Sequence, residues 1–137
     1  MKVLVVEDDS TSSNILQHLL KPYGETQAAA DGDQAVKAVI NALDAGKPFD
    51  LICLDIMLPE KDGQTVLKEV RALEAGRGIA PGKGSRVIMT SALSDKNNLL
   101  SAIPLCDAYL VKPIDRNDLM FYLRRFGLIT PRPEEKT

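Results

Sequence analysis

With 137 residues, 17 basic against 19 acidic side chains and a formal net charge of −2, the chain has the length of one domain with a real core. That charge leaves no basic field for non-specific nucleic-acid binding and no polybasic patch for a membrane surface. Two cysteines and one histidine are too few for a disulfide framework or a multi-histidine metal site, and no apolar stretch reaches membrane-spanning length, so a cytoplasmic location is expected.

The first element is KVLVV at 2–6, apolar enough for a strand buried on both faces, and it runs straight into Glu7, Asp8 and Asp9. Ile15, Leu16, Leu19 and Leu20 then fall on one helical stripe closed by Pro22, with His18 as an ordinary helix residue. A weak strand, TQAA at 26–29, precedes Asp31 and Gln34, which read as a capping box opening a helix through about Ala45. LICL at 51–54 is the third strand, carrying Cys53, and Val66, Leu67, Val70 and Leu73 form the next stripe. RVIMT at 86–90 is the fourth strand, Leu99, Leu100 and Ile103 a shorter stripe, and AYLV at 108–111, just after Cys106, the fifth strand. Asp115 caps a last helix that Gly127 ends.

Five strands alternating with five helices imply an α/β fold with a doubly wound parallel sheet and helices on both faces, because parallel neighbours need helical crossovers. Ligands in such sheets sit outside the carboxyl ends of the strands. The glycine-rich stretch GRGIAPGKGS at 76–85 is not a phosphate loop: Arg77 stands where a glycine is required, Gly84 where Ser or Thr is required, and it precedes a strand. It reads as a flexible loop on the face opposite the strand carboxyl ends.

The strand ends are the informative positions. The first delivers Glu7, Asp8 and Asp9, the third Asp55, the fourth Thr90 and Ser91, and the fifth Lys112 followed by Pro113. Three crowded carboxylates repel one another, so positive charge belongs beside them.

In order along the chain, VVEDD, LDIMLPEKDG, TSA and YLVKP resemble the marks of a response-regulator receiver domain, covering residues 1 to about 127 and leaving 128–137 as a short tail. The resemblance implies the flavodoxin-like strand order 2-1-3-4-5 and a phosphoacceptor at Asp55, served by Lys112 and Ser91. It implies Mg²⁺ or Mn²⁺ held by Asp8, Asp55 and the Met57 backbone carbonyl, with Glu7 acting through water. Asp9 falls outside this set and is expected to cap the first helix. Ser91 and Tyr109 would form the switch, and Met57 and Leu93 would border the path of the hydrolytic water. Ser91 in place of the commoner Thr keeps the hydroxyl.

The phosphoryl donor implied is a histidine kinase or a histidine phosphotransfer protein. Apart from self-catalysed phosphoryl transfer and slow self-dephosphorylation, the chain is not expected to be an enzyme: a phosphohydrolase would place a second Asp where Met57 stands. LITPRPEEKT after Gly127 is too short for a helix-turn-helix, so if this is the whole chain, output is expected through an unidentified protein target, without direct nucleic-acid or membrane contact, whereas in a longer chain a further domain would decide the output. That output is expected on the fourth helix, the fifth strand and the last helix, with a phosphorylation-dependent dimer as one form of it. Leu119, Tyr122, Leu123 and Phe126 share one stripe of the last helix, which puts Phe121 opposite, beside Arg124 and Arg125, as a partner surface.

Overall fold

The strand-length apolar runs lie side by side in one parallel sheet. A computed structural model describes residues 1–92 and 105–130. The strands are β1 (Lys2–Val6), β2 (Glu25–Ala29), β3 (Leu51–Asp55), β4 (Arg86–Ser91) and β5 (Ala108–Val111), in the order β2-β1-β3-β4-β5. Among the described residues the helices are α1 (Ser10–Leu20), α2 (Gly32–Asp44), α3 (Gly63–Gly76) and α4 (Arg116–Arg125). The predicted short helix with Leu99, Leu100 and Ile103 lies outside the described residues, as do Leu93 and the chain from residue 131.

Alternate residues of each central strand feed opposite cores, as the two-residue period of a strand requires. Leu4, Val6, Ile52, Leu54, Val87 and Met89 pack under α2 and α3, whereas Val3, Val5, Leu51, Cys53 and Ile88 pack under α1 and α4. Both faces are therefore covered, which is why β1 and β3 read as unbroken apolar runs. The edge strand β2 (ETQAA) buries only Ala29, which explains its weak signal in the sequence.

The helix starts follow their capping residues. Asp9 accepts from the Ser12 N–H at 3.1 Å and the Ser12 hydroxyl at 2.7 Å. Asp31 accepts from the Gln34 N–H at 2.8 Å, while the Gln34 amide oxygen reaches one residue beyond a standard capping box, to the Ala30 N–H at 3.0 Å. Asp115 caps α4 through the Asn117 and Asp118 N–H groups. Gly127, at φ 75°, closes that helix with the Leu128 N–H bonded to the Leu123 carbonyl at 2.9 Å.

Two stripe assignments are corrected. Ile15, expected in the α1 stripe, is exposed at its edge, and Met120, outside the expected α4 stripe, is fully buried. The glycine-rich loop is also not free at its end. Its Ser85 N–H donates to the buried Glu74 carboxylate at 2.7 Å, and a Cβ at Gly84 would run into that same carboxylate. Arg71 ties the arrangement together: its guanidinium donates to Glu74 at 2.8 Å, the Ser85 carbonyl at 2.9 Å, the Leu105 carbonyl at 3.0 Å and Asp107 at 3.1 Å.

Candidate functional site

The strand ends converge because β1 lies between β2 and β3, so the chain leaves it toward one edge and returns on the other side, opening a crevice at that reversal. Past the end of β1, the Glu7 N–H donates to the Ala29 carbonyl at 3.0 Å. β3 closes on Asp55, paired across to Thr90, and β4 closes on Ser91, paired to Val111. The Lys112 N–H donates to the Ser91 carbonyl at 2.7 Å, so one further rung fixes these two residues together. The peptide bond from Lys112 to Pro113 is cis.

Lys112 bridges the two buried acids. Its Nζ donates to Glu7 Oε2 at 2.7 Å and to Asp55 Oδ2 at 2.9 Å, and these residues are only 3% and 4% exposed. Asp8 stands exposed beside them, and one carboxylate oxygen from each of Glu7, Asp8 and Asp55 lies within 4.8 Å of the others. Burial pushes the Glu7 carboxyl up to about 7, with the Lys112 hydrogen bond opposing that rise and Asp55 adding to it. Burial also works against the Lys112 ammonium, but its hydrogen bonds to Glu7 and Asp55 prevail and hold its pKa above the usual lysine value.

Three carboxylates against one ammonium leave the rim short of positive charge. All three offer hard oxygen ligands from short, well-held segments, which fits a divalent ion such as Mg²⁺ that retains part of its water shell. The donor set therefore suits the ion that the sequence implied.

Asp55 sits at the mouth of a tight loop. Its Oδ1 accepts from the Met57 N–H at 3.1 Å, and the Gly63 N–H returns to the Ile56 carbonyl at 3.0 Å. A Cβ at Gly63 would run into the Asp55 carbonyl oxygen, so the glycine that reads as an ordinary loop residue is required by close backbone approach. The Met57 side chain is 53% exposed, and Leu93 lies outside the described residues. Ser91 is buried at the rim, whereas Tyr109 points outward from β5 and is 45% exposed. Phe121 is 50% exposed on α4 with its ring against Tyr122 at 5.3 Å; Arg125 is exposed and Arg124 half-buried.

Two contributions escaped the sequence reading. Lys112 pairs with Glu7 as well as with Asp55, a contact across 105 residues that no local pattern announces. Ile15 opens into a cleft of about 190 Å³ beside the site, lined also by Glu7, Ser12, Lys112 and Ile114. No signal in the sequence marked that cleft, since Ile15 falls on the apolar stripe of α1.

The response regulator receiver domain model matches residues 3–124. The chain is 33% identical over 126 residues to the transcriptional regulatory protein DltR of Streptococcus agalactiae serotype III (strain NEM316), covering 90% of this chain and 50% of that protein. It is 30% identical over 134 residues to hybrid signal transduction histidine kinase G of Dictyostelium discoideum, covering 95% of this chain and 4% of that protein. The chain thus spans about half the length of regulators such as DltR and a small part of the hybrid kinase. A CheY-like response regulator receiver domain from Methylobacillus flagellatus superposes with a TM-score of 0.74 at 28% identity, over 92% of this chain and 98% of that one. The receiver domain of the sensor histidine kinase PA1611 from Pseudomonas aeruginosa PAO1, with a magnesium ion coordinated in its active-site cleft, also gives 0.74, at 30% identity over 92% and 97% of the two chains. From the shared fold, the acid and lysine rim and a family match that runs from β1 into α4, the chain belongs to the response regulator receiver domain family.

Proposed function

We propose that this receiver domain accepts a phosphoryl group on Asp55 from a phosphohistidine donor and passes the change to a protein partner. The observation that carries the reading is the Lys112 bridge between buried Glu7 and Asp55, with Asp8 completing the acidic rim. An Asp55 carboxylate oxygen bonds to phosphorus as the donor's phosphorus–nitrogen bond breaks, and the electron pair leaves with the imidazole. Lys112 turns from the carboxylate to a phosphoryl oxygen, and the Ser91 hydroxyl donates to another. Asp8, Asp55 and the Met57 carbonyl would hold Mg²⁺ or Mn²⁺, with Glu7 acting through water; the ion supplies charge neutralisation at the phosphoryl group. Incubation with Mg²⁺ and acetyl phosphate should add one phosphoryl group to the wild type and none to Asp55→Asn, as read by intact mass. Equal labelling of the two overturns the reading.

The output begins at Ser91. Its movement toward the phosphoryl group frees space into which the outward ring of Tyr109 turns, shifting a two-state balance of the β5 and α4 surface. Phe121, beside Arg124 and Arg125, is the anchor for the partner, an exposed aromatic flanked by arginines. A Phe121→Ala variant should take phosphate normally yet lose the phosphorylation-dependent change in partner binding or self-association seen by analytical ultracentrifugation. An unaltered response removes Phe121 from the interface. The kinship with both a kinase and transcriptional regulators supports phosphohistidine proteins as donors.

A further inference from the structure

The loop between β3 and α3 is held in a strained shape by a side chain outside the phosphoryl chemistry. The Lys61 N–H donates to the Pro59 carbonyl at 2.7 Å, across Glu60 at φ 65°, so residues 59–61 form a γ-turn of the rare positive-φ kind. A glutamate in that conformation is unfavourable and persists only where the surroundings over-determine it. Lys61 supplies that determination. Its stem packs so closely on α2 that a Cβ at Gly32 would lie 2.9 Å from the Lys61 Cβ. Its Nζ bonds Asp33 of α2 at 3.0 Å and Glu69 of α3 at 2.9 Å.

The ammonium also lies beside the first turn of α2, where the helix dipole disfavours a cation, so the two carboxylates are what allow it to stay there. Half-exposed pairs of this sort add little to stability. Their contribution is to position. Besides the Asp55 bond to Lys112, the other hydrogen bonds of the Asp55 to Pro59 segment among the described residues lie at its base, at Ile56 and Met57, while Leu58 packs into the core under α2 and α3.

We infer that Lys61 is a positioning residue: its clamp on Asp33 and Glu69 sets the loop that carries the Met57 carbonyl and thereby the divalent-ion affinity of the rim. This rests on the metal reading of the rim given above. The two can fail separately.

Mg²⁺ binding to the intact chain, measured by isothermal titration calorimetry, tests it. Lys61→Met keeps the stem on Gly32 and removes only the ammonium. Its affinity for Mg²⁺ should fall about tenfold, the low end of the range for partners outside a metal's own ligands, with the melting temperature nearly unchanged. Asp33→Asn combined with Glu69→Gln should reproduce the loss with Lys61 intact, and Lys61→Arg should restore most of it. In phosphorylation by acetyl phosphate, the half-saturating Mg²⁺ concentration should move while the rate at saturating Mg²⁺ holds. Wild-type affinity in Lys61→Met overturns the inference whatever the melting temperature does. A wild type that binds no Mg²⁺ overturns the metal reading instead.

Discussion

The two ends of the sheet carry charged clusters of opposite design. At the carboxyl ends of the strands, Glu7, Asp8 and Asp55 face the single ammonium of Lys112. At the other end, Glu74 and Asp107 face the two guanidinium groups of Arg71 and Arg86, and the Ser85 and Val87 N–H groups donate to the same two carboxylates. The second cluster is neutral and closed, and it fastens the α3 end, the glycine-rich loop and the entry to β5. The first is short of positive charge and stays so in the folded state, which is a cost to stability that a bound cation would relieve.

Opposite signs of stability change should separate the two ends most sharply. Arg71→Met strands Glu74 and Asp107 without their shared partner and should lower unfolding free energy by about 2 kcal/mol, less than a fully buried pair because Arg71 is part-exposed. Asp55→Asn removes one of the crowded carboxylates and should raise the stability of the metal-free protein by about 0.5–1 kcal/mol. Urea unfolding measures both, and a loss of stability in Asp55→Asn would break the comparison.

A gentler effect should appear along the pH axis. Burial raises the Glu7 carboxyl from 4.5 to about 7, so the folded state binds more protons than the unfolded one between those values. Stability from this group is fully present below about 4.5, declines as pH rises toward 7 and levels off above it. Without metal, Glu7→Gln should flatten that part of the stability profile. Mg²⁺ affinity should move the other way, tightening from pH 6 to pH 8 as Glu7 ionises. A wild-type profile indistinguishable from that of Glu7→Gln would show that the raised carboxyl has no thermodynamic weight.

The smallest effect concerns signal lifetime. Met57 has no group able to orient a water strongly, and Leu93 would be no better, so on the proposed function the Asp55 phosphoryl group should decay slowly. Met57→Asn combined with Leu93→Glu should accelerate it by about threefold to tenfold, well short of the roughly hundredfold or more that a well-placed general base contributes. Radiolabel loss after donor removal reports it, and unchanged decay would detach these positions from the water.

Most of the rim was legible because its residues sit at strand ends, where a run of apolar residues stops and the chemistry is announced one residue later. Asp55 and Lys112 could be placed that way before any coordinates. Glu74 and Asp107 could not, since Arg71 finds Asp107 36 residues away and nothing near any of them in sequence marks the pairing. Ile15 was misplaced for a different reason: a helical stripe has edges, and periodicity alone does not say which edge residue the neighbouring loop will leave uncovered. The strand β2 was nearly lost because an edge strand with one buried residue carries little apolar signal.

The bond from Lys112 to Glu7 joins residues 105 apart, and the one to Asp55 joins residues 57 apart. Contacts of such long sequence separation form late, after the intervening chain has been ordered. A chain still being synthesised, or one with β5 undocked, carries the carboxylates without their ammonium and cannot assemble the acceptor geometry. On the proposed function, competence to receive a signal would then belong only to finished molecules, and a partly folded copy would be silent rather than wrongly switched on.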